Sequence, residues 1–223
     1  MIDPARTCIA LGPLALYLLV IGVINVSRRP FVTTGSRDLA ALGVGVSGLV
    51  LIGPIELFTS TSLALSLGIM YWVLILGLFA SGCLMAVLHV RPRLVIYNTT
   101  PSQLSTPLIE AAKEMDSEAH WAGETLVMPA WNTQLTLEPF SVLRNVSLVP
   151  TGESLSPTLI RYLEAGLRFR LSENDVKVDA ASRSGIGFAL LAAGLAMTVM
   201  MIAFWVQDPK AVTQGIMEML GTS

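Results

Sequence analysis

Inside the apolar runs of this chain there is one charged residue, Glu56, in the stretch Leu51-Ile52-Gly53-Pro54-Ile55-Glu56-Leu57-Phe58. A carboxylate at membrane depth is costly and, where it occurs, commonly serves a proton or cation path. The same group at the end of a span reaches water and marks a boundary. Pro54 removes a helical hydrogen bond, which costs least in a terminal turn. The hydroxyls of Thr59 and Ser60 follow close behind. Glu56 is therefore the candidate polar intramembrane residue, read first as a boundary residue and second as a pathway or helix-contact residue.

The other reactive residue types are scattered. Cys8 and Cys83 form neither a C-x-x-C pair nor a zinc framework. His89 and His120 stand alone, and the sequence holds no H-E-x-x-H, no G-x-S-x-G and no P-loop. Gly43-Val44-Gly45-Val46-Ser47-Gly48 matches G-x-G-x-x-G, but a dinucleotide fingerprint needs a strand before it and a helix after it. Here it lies within an apolar run, where small residues let helices pack closely. Met197, Met200 and Met201 offer soft ligands for copper(I), yet without thiolate or imidazole company they read as packing or lipid contact. Glu110, Lys113, Glu114, Asp116 and Glu118 read as a solvated acidic helix face, not an acid/base pair, which would need opposed environments. Trp121 and Trp131, with Phe140, could form an exposed patch for a partner or fill a small core. The expectation is no catalytic residue, no metal and no cofactor, hence no enzyme.

The elements that must carry these residues are set by charge distribution. Of 223 residues, 53% are hydrophobic and 13% charged, and the mean hydropathy is +0.66. Cys8 to Val26, Leu63 to Leu88 and Gly185 to Val206 carry no charge, and Leu39 to Phe58 carries only Glu56. Each run is long enough to cross about 30 Å of hydrocarbon at roughly 1.5 Å per residue. Four transmembrane helices are expected, at about 8–26, 39–58, 65–89 and 184–206. The first run is long for a signal-peptide core and begins with almost no positive charge, so it is read as a retained helix.

Basic residues near span ends give the orientation. Arg28, Arg29, Arg37, Arg91, Arg93, Lys177 and Arg183 fall on one side, and Arg6 and Lys210 on the other. The expectation is an integral membrane protein of a plasma or inner membrane, with both chain ends extracytoplasmic and residues 91–183 in the cytoplasm. The sequons at Asn98 and Asn145 would then stay unmodified. Cys8 and Cys83 would sit near opposite faces of the bilayer, too far apart for a disulfide.

Residues 91–183 read as a small α+β domain. Pro92 to Tyr97 is β-rich. Thr100-Pro101-Ser102-Gln103 is a capping box with proline at the first helical position, although Pro107 suggests that the regular helix starts at Thr106. Glu124 to Met128 and Thr133 to Leu137 alternate as a hairpin around Pro129-Ala130-Trp131-Asn132. Asn145 to Val149 is a third meander strand, and Ser156-Pro157 opens a second helix. The expected order is β-α-β-β-β-α: a mainly antiparallel four-stranded sheet with two helices on one face. Residues 207–223 form a short amphipathic helix, or are disordered.

Functionally, this layout suits a membrane-anchored interaction, regulatory or assembly module. Its partners would be the lipid bilayer and a protein or a second copy of the chain. A net charge of −2 without a Lys/Arg cluster gives no reason to expect nucleic acid. The alternatives are a small transporter or channel subunit working as an oligomer and, with least support, a membrane-bound enzyme.

Overall fold

The computed structural model describes residues 4–27, 29–53, 69–140, 145–151, 157–173 and 185–220. They divide into two compact units, one of residues 1–21, 39–89 and 189–223 and one of residues 22–38 and 90–188.

The first unit is helical. Four helices are long and apolar enough to cross a membrane: α1 (Pro4–Val26), α2 (Gly35–Ile52), α3 (Ile69–His89) and α6 (Gly185–Gln207). Their surfaces are apolar as well. Leu16, Val44, Leu78, Val199 and Val206 are each more than half exposed, a pattern that suits contact with lipid and would be costly in water. The short helix α7 (Pro209–Leu220) follows. The Asp208 carboxylate caps it by accepting from the Ala211 N–H at 3.0 Å.

The glycines of the fingerprint-like stretch act in packing. A Cβ on Gly45 would lie 2.7 Å from Tyr17 Cβ, and one on Gly48 would lie 2.2 Å from the Ile9 carbonyl oxygen. Pro13 lies inside α1 and has no N–H to give that carbonyl four residues earlier. The oxygen freed by Pro13 is the one on which the bare backbone of Gly48 closes. On α6, Gly194 fits against Leu19 and the Ala15 carbonyl in the same way.

The second unit is a six-stranded antiparallel sheet in the order β1-β2-β6-β5-β4-β3. Its strands are β1 (Phe31–Thr34), β2 (Leu94–Tyr97), β3 (His120–Ala122), β4 (Thr125–Met128), β5 (Thr133–Phe140) and β6 (Asn145–Thr151). Helices α4 (Pro101–Lys113) and α5 (Pro157–Glu173) belong to the same unit. The expected four strands are therefore six. Strand β3 extends the hairpin through Gly123, whose φ of +66° suits the glycine of a tight turn. Strand β1 comes from the loop between α1 and α2 and pairs Phe31 with Tyr97 and Thr34 with Leu94.

Period-two alternation sends Val32, Leu94, Ile96, Val146, Leu148, Leu137, Leu135, Leu126 and Met128 into the core. The 3.6 period of the helices sends Leu104, Leu108 and Ala112 of α4, and Leu159, Leu163 and Leu167 of α5, into the same cluster. Each fully buried leucine contributes about 2 kcal/mol of transfer free energy.

The capping box forms as read. The Gln103 N–H donates to Thr100 Oγ1 at 3.4 Å and the Thr100 N–H to Gln103 Oε1 at 3.3 Å. The helix therefore starts at Pro101 rather than Thr106, with Pro107 buried inside it. A fixed first turn and a buried apolar ring outweigh the one hydrogen bond that Pro107 cannot make. The hairpin turn is a single 3-10 turn, Pro129–Trp131, closed by Asn132 in the left-handed region at φ 45°.

Candidate functional site: an arginine-lined cleft beside the edge strand

Strand β1 lies at the edge of the sheet, and helix α5 packs beside it. An edge strand leaves every second carbonyl without a ladder partner. Arg168 of α5 supplies one, its Nη2 donating to the Val32 carbonyl at 3.0 Å. The same Nη2 lies 2.8 Å from Glu164 Oε1. That oxygen also accepts from Arg37 Nη1, in the first turn of α2, at 2.8 Å. The Glu164 side chain is only 10% exposed, against 64% for Arg37 and 51% for Arg168. A carboxylate this far from water needs both cations.

Two members of this triad, Arg37 and Glu164, line a cleft of about 310 Å³ together with Thr34, Ser36, Pro92, Arg93, Ile160 and Arg161. The aliphatic stem of Arg93 lies against Gly35, where a Cβ would stand 2.6 Å from Arg93 Cγ, and the Arg93 carbonyl accepts from the Gly35 N–H at 2.9 Å. Among the described residues, Arg93 and Arg161 lie in no ion pair. The Thr34 and Ser36 hydroxyls are 3.2 Å apart at the rim. Three guanidiniums thus line the cleft with one carboxylate, whose Oε1 is already shared by Arg37 and Arg168. A second cleft of about 200 Å³, at the other end of β1, holds Arg29 and Arg168.

The end of β2 braces this region from behind. Tyr97 Oη donates to Asp38 Oδ1 at 2.8 Å. Asn98, 2% exposed and at φ 58°, donates its amide to the Ile24 carbonyl in the last turn of α1 and to the Arg29 carbonyl at 3.4 Å. The side chain of this sequon asparagine, just past the end of β2, thus adds a second donor to the Ile24 carbonyl, which also accepts from the Ser27 N–H at 3.2 Å, and ties the end of α1 to the sheet.

Glu56 and Pro54 lie outside the described residues. Trp121 and Trp131 are half-buried and pack on the sheet core, while Phe140 is exposed. His89 Nδ1 donates to the Met85 carbonyl and His120 Nδ1 to the Glu118 carbonyl, each at 2.8 Å. Cys8 and Cys83 are free thiols. The acidic side of α4 is engaged in structure. Arg170 binds Glu110 at 2.6 Å and Glu114 at 2.5 Å. Asp116, 4% exposed, accepts from the Ala130 N–H at 2.8 Å and the Glu118 N–H at 3.0 Å, tying the end of α4 to the hairpin turn.

Sequence reasoning used Arg37 and Arg93 as orientation markers and passed over Arg161, Glu164 and Arg168. One signal was present: Glu164 interrupts the apolar stripe Ile160, Leu163 and Leu167 and has Arg168 four residues on. Compared with protein-family models, curated proteins and solved structures, the chain matches none of them.

Proposed function

We propose that the chain is an integral membrane protein whose α+β unit serves as a binding module, regulating or assembling a larger complex rather than catalysing a reaction. The observation that carries this reading is strand β1. Only residues 27–30 separate α1 from β1, and α2 begins at the residue after Thr34. The loop between two candidate spans is thus a structural strand of the sheet, and Asn98 and Tyr97 hold the helix ends that flank it. Occupancy of such a unit would be felt directly by the helices that enter it.

In this reading the four apolar helices cross a plasma or inner membrane, residues 91–183 face the cytoplasm and both chain ends lie outside. The seven span-flanking basic residues on one side against two on the other support that orientation. The partners are the bilayer and a protein, either a different chain or a second copy.

The test is purification of the full chain from native membranes in mild detergent after cross-linking, with identification of what accompanies it. A stoichiometric partner that is lost when residues 91–183 are deleted is expected. A lone oligomer that conducts ions in proteoliposomes, with flux abolished by Glu56→Gln, would overturn this reading in favour of a transporter or channel subunit.

A further inference from the structure

We propose that the cleft lined by Arg37, Arg93 and Arg161 binds a phosphate-bearing anion, such as the headgroup of an acidic phospholipid. Its charge is the first reason. Glu164 Oε1 is already shared by Arg37 and Arg168, and among the described residues Arg93 and Arg161 add two guanidiniums without an ion-pair partner to the same cavity. Arg37, Arg93 and Arg161 outnumber the one carboxylate in that lining, and an anion relieves their repulsion. The guanidinium fork matches the paired oxygens of a phosphate, and the Thr34 and Ser36 hydroxyls add neutral donors at the rim.

Place in the chain is the second reason, and it rests on the reading that α2 and α3 cross the bilayer. Arg37 stands in the first turn of α2, and Arg93 lies just beyond the end of α3 at His89. Both are then within a turn or so of the membrane boundary, where acidic headgroups concentrate and basic pockets beside span ends capture them. Arg29 and Arg168 extend the same polarity past the other end of β1.

The test uses the full chain extracted from membranes containing phosphatidylglycerol and phosphatidylcholine, with retained lipid counted by native mass spectrometry. A parallel arm adds inorganic phosphate to protein in phosphatidylcholine nanodiscs and follows thermal unfolding. The variants are Arg161→Gln, Arg93→Gln and the pair together, with Lys113→Gln on α4 as a charge control away from the cleft. Each cleft arginine is expected to account for about fivefold in retention of the acidic lipid, with the control unchanged. Cleft-dependent retention of phosphatidylglycerol assigns the site to a lipid headgroup. Cleft-dependent stabilisation by phosphate alone assigns it to a soluble phosphate. Equal behaviour of all variants in both arms overturns the proposal while leaving the membrane reading intact. Failure of the wild-type chain to reconstitute at all overturns the membrane reading beneath it. Arg161→Gln, which leaves the Arg93–Gly35 packing untouched, keeps the test decisive if Arg93→Gln disturbs the fold.

Discussion

The ion triad at Glu164 makes an asymmetric prediction. Removing the carboxylate with Glu164→Gln leaves Arg37 and Arg168, which are 64% and 51% exposed and rehydrate readily. The amide oxygen still accepts one guanidinium. The cost is the net value of a half-exposed pair plus one hydrogen bond, about 1 kcal/mol. Removing the cations with Arg37→Ala and Arg168→Ala instead strands a carboxylate whose side chain is 10% exposed. A buried charge stripped of its partner costs about 3–5 kcal/mol. Part of that is recovered because water follows the departed side chains and Arg93 and Arg161 remain in the same cleft, which leaves roughly 2–3 kcal/mol. It follows that adding Glu164→Gln to the double arginine variant stabilises it by about 1–2 kcal/mol, although the same change destabilises the wild type. The assay is denaturant unfolding of the detergent-solubilised chain in a Trp72→Phe, Trp205→Phe background. Emission then reports Trp121 and Trp131, which pack on the sheet core. Equal destabilisation of both backgrounds by Glu164→Gln would show that Glu164 is not held as a charge by its arginines.

Three further predictions test other contacts. Asp116→Ala removes two short backbone bonds from a buried carboxylate and should cost about 2–4 kcal/mol in the same unfolding assay, with Asp116→Asn intermediate. Asn98→Gly should be milder than Asn98→Ala by about 1 kcal/mol, because both lose the side-chain amide but only alanine is strained at φ 58°; equal melting temperatures would contradict this. Gly48→Ala places a Cβ 2.2 Å from the Ile9 carbonyl, whereas Gly77→Ala meets nothing within 4 Å. The first should cost about 3 kcal/mol or leave the helical unit polydisperse by size-exclusion chromatography, and the second should be neutral.

What could be read from sequence was what a few neighbouring residues determine. The Thr100–Gln103 box formed because its two hydrogen bonds span three residues, and the alternation of residues 124–137 set which side chains face the core. The four apolar helices followed from long runs with at most one charge. Strand β1 escaped because Phe31-Val32-Thr33-Thr34 is too short to show a period, and its partner strand begins sixty residues further on. The arginine cleft escaped for a related reason. Arg37, Arg93 and Arg161 are dispersed in the sequence, and only the packing of α5 beside β1 makes them neighbours. Pro107 misled because the rule against proline in a helix is local, while the burial that tolerates it is tertiary.

The placement of β1 also bears on how the chain is made. Its partner β2 is translated only after α2 and α3, so the sheet cannot close until two further helices have emerged from the ribosome. Until then Phe31–Thr34 lacks its ladder partner. Conversely, a fragment of residues 91–183 released from the chain would leave β2 as the outer strand, although all four of its residues are buried in the complete sheet. Such a fragment should associate through that strand, and supplying residues 31–34 as a peptide should return it to the monomeric state.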